Sequence, residues 1–139
     1  MVVQNKRLEK TCCFYVSEFH LEMILVPYIK EKVEENITIL TEKKLKETLN
    51  ILISKMNLKQ EDKEKIMELG WDGENEIVEN SNVIIVGSKQ YIENKNEEIK
   101  KKNVVSVLDC YDFEEEKNNI DDIVKRYSKS LNTLGKNNF

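Results

Sequence analysis

Four short segments carry the side chains with which this chain could bind or transform a ligand: Ser17-Glu18-Phe19-His20, Thr41-Glu42, Gly87-Ser88-Lys89 and Asp109-Cys110-Tyr111-Asp112. In Gly87-Ser88-Lys89, glycine permits close backbone approach, Ser88 offers a hydroxyl and Lys89 supplies charge where a helix begins, which together suit a small anion. The spacing is neither the G-x-x-x-x-G-K-[ST] of a phosphate loop nor the G-x-G-x-x-G of a dinucleotide turn. A tight turn with a serine N-cap explains the same residues. Asp109 and Asp112, joined by Glu18, are oxygen ligands of the kind that hold Mg²⁺, although solvated loop acids are the plainer reading. His20, the one histidine, could activate Cys110 as a thiolate, with Asp109 or Asp112 orienting the imidazole. No local cysteine-hydrolase signature accompanies that pair. Thr41 reads as a helix N-cap, and Tyr111 adds a hydroxyl to the fourth segment.

These segments matter because each follows an expected strand. Thr11–Val16 is a short aromatic and β-branched run ending at the N-cap Ser17. From Glu18 to Glu35 the apolar positions Leu21, Ile24, Leu25, Tyr28, Ile29 and Val33 keep helical spacing, with Pro27 expected to kink or open the helix. Ile37–Leu40 predicts a second strand, followed by a helix through Leu45, Leu49, Leu52, Ile53 and Met56. A further helix from Gln60 to Leu69 stops at Gly70, and Trp71–Ser81 reads as a loop. Asn82–Val86 is a continuous β-branched run of the kind buried on both faces in parallel sheets. A polar helix carrying Tyr91, Ile92 and Ile99 runs to Lys100-Lys101-Lys102, which suits the negative end of its dipole. Val104–Leu108 predicts the fourth strand. Ile120, Ile123, Val124, Tyr127, Leu131 and Leu134 predict a last helix ending at Gly135.

Strand and helix thus alternate four times, which argues for an α/β fold with a mainly parallel four-stranded sheet. The arrangement resembles a small Rossmann-like three-layer sandwich, and an order of 2-1-3-4 would satisfy the crossover rule. At 139 residues, with 40% apolar and 35% charged side chains, one α/β domain spanning residues 1–139 is expected. In such a sheet the four segments would gather beyond the carboxyl ends of the strands, where ligands bind.

Composition removes several functions. With 26 acidic against 22 basic residues, for a net charge of −4, no positive field favours nucleic acid or an anionic membrane. The longest apolar run, Met23–Ile29, is broken by Pro27 and falls far short of the roughly 20 residues that span a bilayer. No apolar stretch with a cleavage site follows Met1–Arg7, so a cytoplasmic protein is expected. Three cysteines, Cys12, Cys13 and Cys110, lack zinc-site spacing and read as buried, unlinked thiols, with Cys12 and Cys110 expected about a strand length apart. Functionally, the rim has varied polar groups but no complete catalytic set. The expectation is a non-catalytic ligand-binding or regulatory module that acts through a protein partner and takes a small anionic ligand; no cofactor is specified. The alternatives are a small Mg²⁺- or nucleotide-dependent enzyme using the rim, and a structural homo-oligomer.

Overall fold

Strands form in this chain where β-branched and aromatic residues run without a polar break, and helices form where serine or a loop frees the next N–H groups. The computed structural model describes residues 8–71, 73 and 75–138. In chain order the elements are β1 (Glu9–Tyr15), α1 (Glu18–Glu31), β2 (Asn36–Thr41), α2 (Lys46–Lys55), α3 (Gln60–Met67), β3 (Ser81–Val86), α4 (Lys89–Ile99), β4 (Ser106–Asp112), α5 (Phe113–Glu116), α6 (Ile120–Val124), β5 (Lys129–Asn132) and β6 (Gly135–Asn138). The fold is α/β, with a mostly parallel sheet of six strands in the order β2-β3-β4-β1-β5-β6. Only β6 is antiparallel to its neighbour.

This order corrects the expected four strands in the order 2-1-3-4. Cys12 and Cys13 point to opposite faces of β1 and are both fully buried, which requires a covered interior strand. β1 obtains that cover from β4 on one side and β5 on the other. The crossover rule fixes the hand of a connection and says nothing about how many strands it skips. The last predicted helix is therefore replaced. Only Ile120–Val124 is helical, and the chain then pairs Lys129 and Ser130 with Thr11 and Cys12. Leu131 is buried while Leu134 is 93% exposed, a division that helical spacing would not give. The turn between β5 and β6 is set by Asn132, whose Oδ1 accepts the Leu134 N–H at 2.8 Å, and by Gly135 at φ +111°, a conformation that favours glycine.

Each face of the sheet carries its own core. α1, α2 and α3 bring Leu21, Leu25, Ile29, Leu49, Ile53 and Ile66 onto Cys13, Tyr15, Ile39, Ile84, Leu108 and Cys110. α4 and α6 bring Ile92, Ile99 and Ile123 onto Cys12, Leu40, Val83, Ile85 and Val107. Each such side chain contributes about 1.5–3 kcal/mol when fully buried. Pro27 sits inside α1 on its exposed side. The carbonyl it leaves unpaired is that of exposed Met23, so water can satisfy it. The helix ends at Glu31, short of the expected Glu35, with the Lys32 N–H turned back to the Ile29 carbonyl.

The outer edge of β2 is closed by the loop that leads to β3. Trp71 packs in the α1–α3 core and donates its Nε1 proton to the Ile66 carbonyl at 2.7 Å, whereas Ile77 packs against the opposite core. Between them the Asn75 amide donates to the Ile39 carbonyl at 2.8 Å, and the Val78 N–H donates to Thr38 Oγ1 at 3.1 Å. Ser81 commits its hydroxyl proton to the Val78 carbonyl at 2.6 Å, so Thr38 donates to Ser81 across their 2.9 Å contact. A sheet edge that would template pairing with other chains is thereby capped.

The cysteines are free and buried, but they are not a strand length apart. β4 begins two residues later than Val104 and runs on through Cys110, which puts Cys110 in register with Cys13 on β1. Burial pushes the Cys12 thiol up to about 12 and Cys110 well above its ordinary range, so neither forms thiolate at neutral pH. We therefore predict that a thiol reagent at pH 8 reacts slowly with the native protein and that three thiols titrate in denaturant without reductant; a single titrating thiol would show a disulfide.

Candidate functional site

The segments after β2 and β3 bond to each other at the carboxyl edge of the sheet, through Glu42 and Ser88, while the segment after β1 bonds within itself. After β1, Ser17 Oγ accepts the His20 N–H at 3.1 Å, and His20 Nδ1 accepts the Val16 N–H at 2.9 Å. His20 is thus occupied in capping α1, with its ring proton on Nε2. Glu18 stands exposed in the first turn of α1. After β2, Thr41 is not a helix cap. It is the last residue of β2, and its hydroxyl both donates to the Lys43 carbonyl at 2.7 Å and accepts the Lys43 N–H at 3.0 Å, while α2 begins only at Lys46.

After β3, Ser88 Oγ accepts the Tyr91 N–H at 3.2 Å, and Lys89 opens α4. The Ser88 N–H, which would face an incoming anion, donates instead to the carboxylate of Glu42 at 2.6 Å. The position that sequence assigns to a ligand anion is filled by the protein's own acid. Gly87 is required there by crowding, since its φ lies outside the positive range found at Gly70 and Gly135. A Cβ on Gly87 would fall 2.5 Å from Glu42 Oε1 and 2.6 Å from Tyr91 Cδ2.

After β1 and β4 the edge is locked in the same way. Asp112 Oδ1 accepts the N–H groups of Glu114 and Glu115 at 2.9 and 3.4 Å, and its Oδ2 lies 3.6 Å from Lys43 Nζ. Lys43 also sits 5.3 Å above the Tyr15 ring.

Asp109, Cys110 and Tyr111 belong to β4 itself and not to a loop after it. Alternation along a strand then separates them. Cys110 faces the α1–α3 core beside Cys13, while Asp109 and Tyr111 face the α4–α6 side. Asp109 and Asp112, an odd number of residues apart, point to opposite faces. Among the described residues no three His, Cys, Asp or Glu side chains gather as a metal ion requires.

The strongest polar constellation is the one built on Asp109. Its side chain is fully buried in the middle of a sheet face, where an unpaired carboxylate would be very costly. Three neighbours compensate. Tyr127 donates its hydroxyl proton to Oδ2 at 2.6 Å, the Asn96 amide from α4 donates to both oxygens at 3.2 Å, and Lys10 Nζ on β1 lies 4.0 Å away. Because Tyr127 gives its single proton to Asp109, Tyr111 must be the donor in the 2.6 Å contact between the two phenols. Lys10 also lies 5.3 Å over the Tyr127 ring, where its charge is further stabilised.

Burial raises the Asp109 carboxyl above the ordinary carboxylate range, and Tyr127, Lys10 and Asn96 draw it part of the way back. Burial and the neighbouring carboxylate both push the Tyr127 phenol far up, and burial does the same to Tyr111. Both phenols are therefore permanent donors.

Lys10, Asn96, Tyr111 and Tyr127 line a cavity of about 400 Å³ between α4 and the segment after α6, and Asp109 lies buried behind them. Arg126 Nη1 reaches across to Glu93 Oε1 at 3.1 Å, and Lys100 pairs with Glu97 at 2.8 Å. A larger hollow of about 650 Å³ lies on another flank of α4, beside Lys95 and Glu98, but every side chain lining it is at least partly exposed. It lacks a buried polar group that would select a ligand.

The sequence reading placed Asp109 on a rim and missed Asn96, Lys10, Arg126 and Tyr127. One signal was present: an acid inside the continuous apolar run Val107-Leu108-Asp109-Cys110-Tyr111 has to be buried and compensated. No family model, curated protein or solved structure matches this chain.

Two sets of substitutions test this geometry by urea unfolding. Gly87→Val is expected to cost more than about 2 kcal/mol through overpacking, while Gly73→Val, where a Cβ meets nothing within 4 Å, stays within about 0.5 kcal/mol. Tyr127→Phe removes a donor from a buried carboxylate and is expected to cost about 1–3 kcal/mol, against about 0.5–1.5 kcal/mol for Tyr111→Phe, which leaves Asp109 its partners. Equal losses in either pair would contradict the assigned contacts.

Proposed function

We propose that this chain is one Rossmann-like three-layer α/β sandwich that works as a non-catalytic, ligand-binding regulatory module, and that it takes a small anionic ligand bearing hydroxyls in the cavity above Asp109. The observation that carries this reading is that the three groups compensating the fully buried Asp109, namely Tyr127, Asn96 and Lys10, all line one space of about 400 Å³. A cavity of that size suits a small metabolite. Tyr127 and Asn96 are held in its wall by their bonds to Asp109, and Lys10, Lys100 and Arg126 bring cationic heads to the same space, where an anion would displace Glu93 from Arg126 and Glu97 from Lys100.

A catalytic role has less support. The acid at the centre is already engaged by three groups, the Cys12 and Cys110 thiols are held protonated, and the one histidine caps a helix. The free, buried cysteines suit the reducing cytoplasm. Transmission to a protein partner is supported by Val16, Phe19 and Met23, apolar side chains exposed at and near the start of α1. No helix among the described residues is long and apolar enough to cross a membrane.

The test is thermal unfolding with inorganic phosphate, sugar phosphates and hydroxycarboxylates. A ligand at 100 times its Kd stabilises the folded state by about 2.7 kcal/mol, which raises Tm by several degrees. We expect at least one compound to do this for the wild type and to lose its effect in Arg126→Ala and Lys10→Ala. The absence of any stabilising compound, or a response unchanged in both variants, would overturn the proposal.

A further inference from the structure

Another fully buried acid is treated very differently from Asp109. Glu22 lies on the inner side of α1, fully buried, and neither carboxyl oxygen has a hydrogen-bond partner. α1 packs against α2, α3 and β1, and none of them supplies a compensating charge. From α2, Thr48 comes close enough to favour the ionised form, but its hydroxyl is turned to the Leu45 carbonyl at 3.4 Å. Lys65 of α3 is paired with Glu34 and Glu61. β1 contributes Cys13 and Tyr15 to this core, and the buried Tyr15 hydroxyl has no partner either. The charged group that acts on Glu22 is Glu18, one turn earlier and of the same sign.

A lone carboxylate in such a place is far costlier than the neutral acid. Glu22 can ionise only when water reaches it, so the contact it sits in must open. α2 is the weaker side of that contact. It has no side-chain N-cap bond and buries only Leu49 and Ile53 along its length. Its main contacts are with α1 and α3 and not with a strand, whereas α1 lies on β1. The loop leading into α2 holds Glu42 on Ser88 and Lys43 near Asp112.

We propose that Glu22 is a proton-operated latch on α2: protonated, it lets α2 pack on α1; ionised, it releases α2 and loosens the loop that ties β2 to the ends of β3 and β4. Burial holds this carboxyl up to about 7, with the charge of Glu18 acting in the same direction and Thr48 against it. The latch therefore works near neutrality. The sign follows from linkage. At low pH the acid is protonated whether the chain is folded or not. As pH rises from about 4.5, its ordinary value, to about 7, the unfolded chain loses the proton first and stability falls; above that range the contribution is flat.

The experiment is hydrogen exchange of the full chain between pH 5 and pH 8, corrected for intrinsic exchange rates. We expect the protection of the 46–55 amides to fall by about tenfold or more, the equivalent of one pKa unit, and at pH 8 to lie well below that of β3, which exchanges only on global unfolding. Glu22→Gln, isosteric and uncharged, and Glu22→Leu, which also removes the amide, should both hold α2 protection level with pH. A wild-type α2 that stays as well protected as β3 at pH 8 would overturn the latch without reference to any variant. So would pH dependence that persists in whichever variant folds.

Discussion

The parallel pairing of β1 with β4 is the contact on which the rest of the molecule depends. It places Cys12, Cys13, Leu108 and Asp109 where neither face of the sheet can meet water. Once both strands are interior, helices must cover both faces, and the chain supplies α1 to α3 on one side and α4 with α6 on the other. The outer side of β1 needs a further strand, which is why the chain folds back as β5 after Tyr127 instead of continuing as a helix. That return also fixes the Tyr127 hydroxyl over Asp109. Fold and candidate site are thus consequences of one constraint: an acid set in the middle of the interior strands of the sheet.

Asp109 and Glu22, both fully buried, illustrate how context decides the role of a carboxyl. Asp109 has a phenol, an amide and an ammonium group around it, so it can remain in place and present an ordered polar floor. Glu22 has none of these and stands beside another acid, so ionisation and packing oppose each other. The first arrangement favours a preorganised binding site, the second a movable element. They lie on opposite faces of the sheet, joined through the loops at its carboxyl edge, where Glu42 and Lys43 link the end of β2 to the ends of β3 and β4.

Local signals in the sequence were legible where local chemistry decides the outcome. The caps at Ser17 and Ser88 and the β-branched run before Gly87 mark their elements, because each depends on residues only a few positions apart; the helix expected to run to Leu69 and stop at Gly70 ends earlier, at Met67. Strand order was not legible. It depends on which strands can afford exposure, and that is settled by partners more than 90 residues away, as in the pairing of Glu9–Tyr15 with Ser106–Asp112. The last helix was misread for a related reason. Tyr127 and Leu131 fit a helical stripe, yet the polar residues Ser130, Asn132 and Thr133 between and beyond them suit strand and turn once the open edge of β1 is available. The candidate rim residues were placed at the correct edge, but sequence could not show that they satisfy one another. It also could not show that Asp109, lying before the end of its strand, belongs to a different site.

The most direct measurement is NMR of the aspartate carboxyl carbons followed with pH, together with a search for the hydroxyl protons of Tyr111 and Tyr127. If Asp109 is buried beneath the two phenols, its carboxyl carbon will not titrate near the ordinary value of about 3.8 and will shift only at higher pH, while both hydroxyl protons exchange slowly enough to be seen. An Asp109 that titrates with the exposed aspartates, alongside phenolic protons lost to rapid exchange, would mean that the carboxylate is open to water and that the floor of the proposed site does not exist.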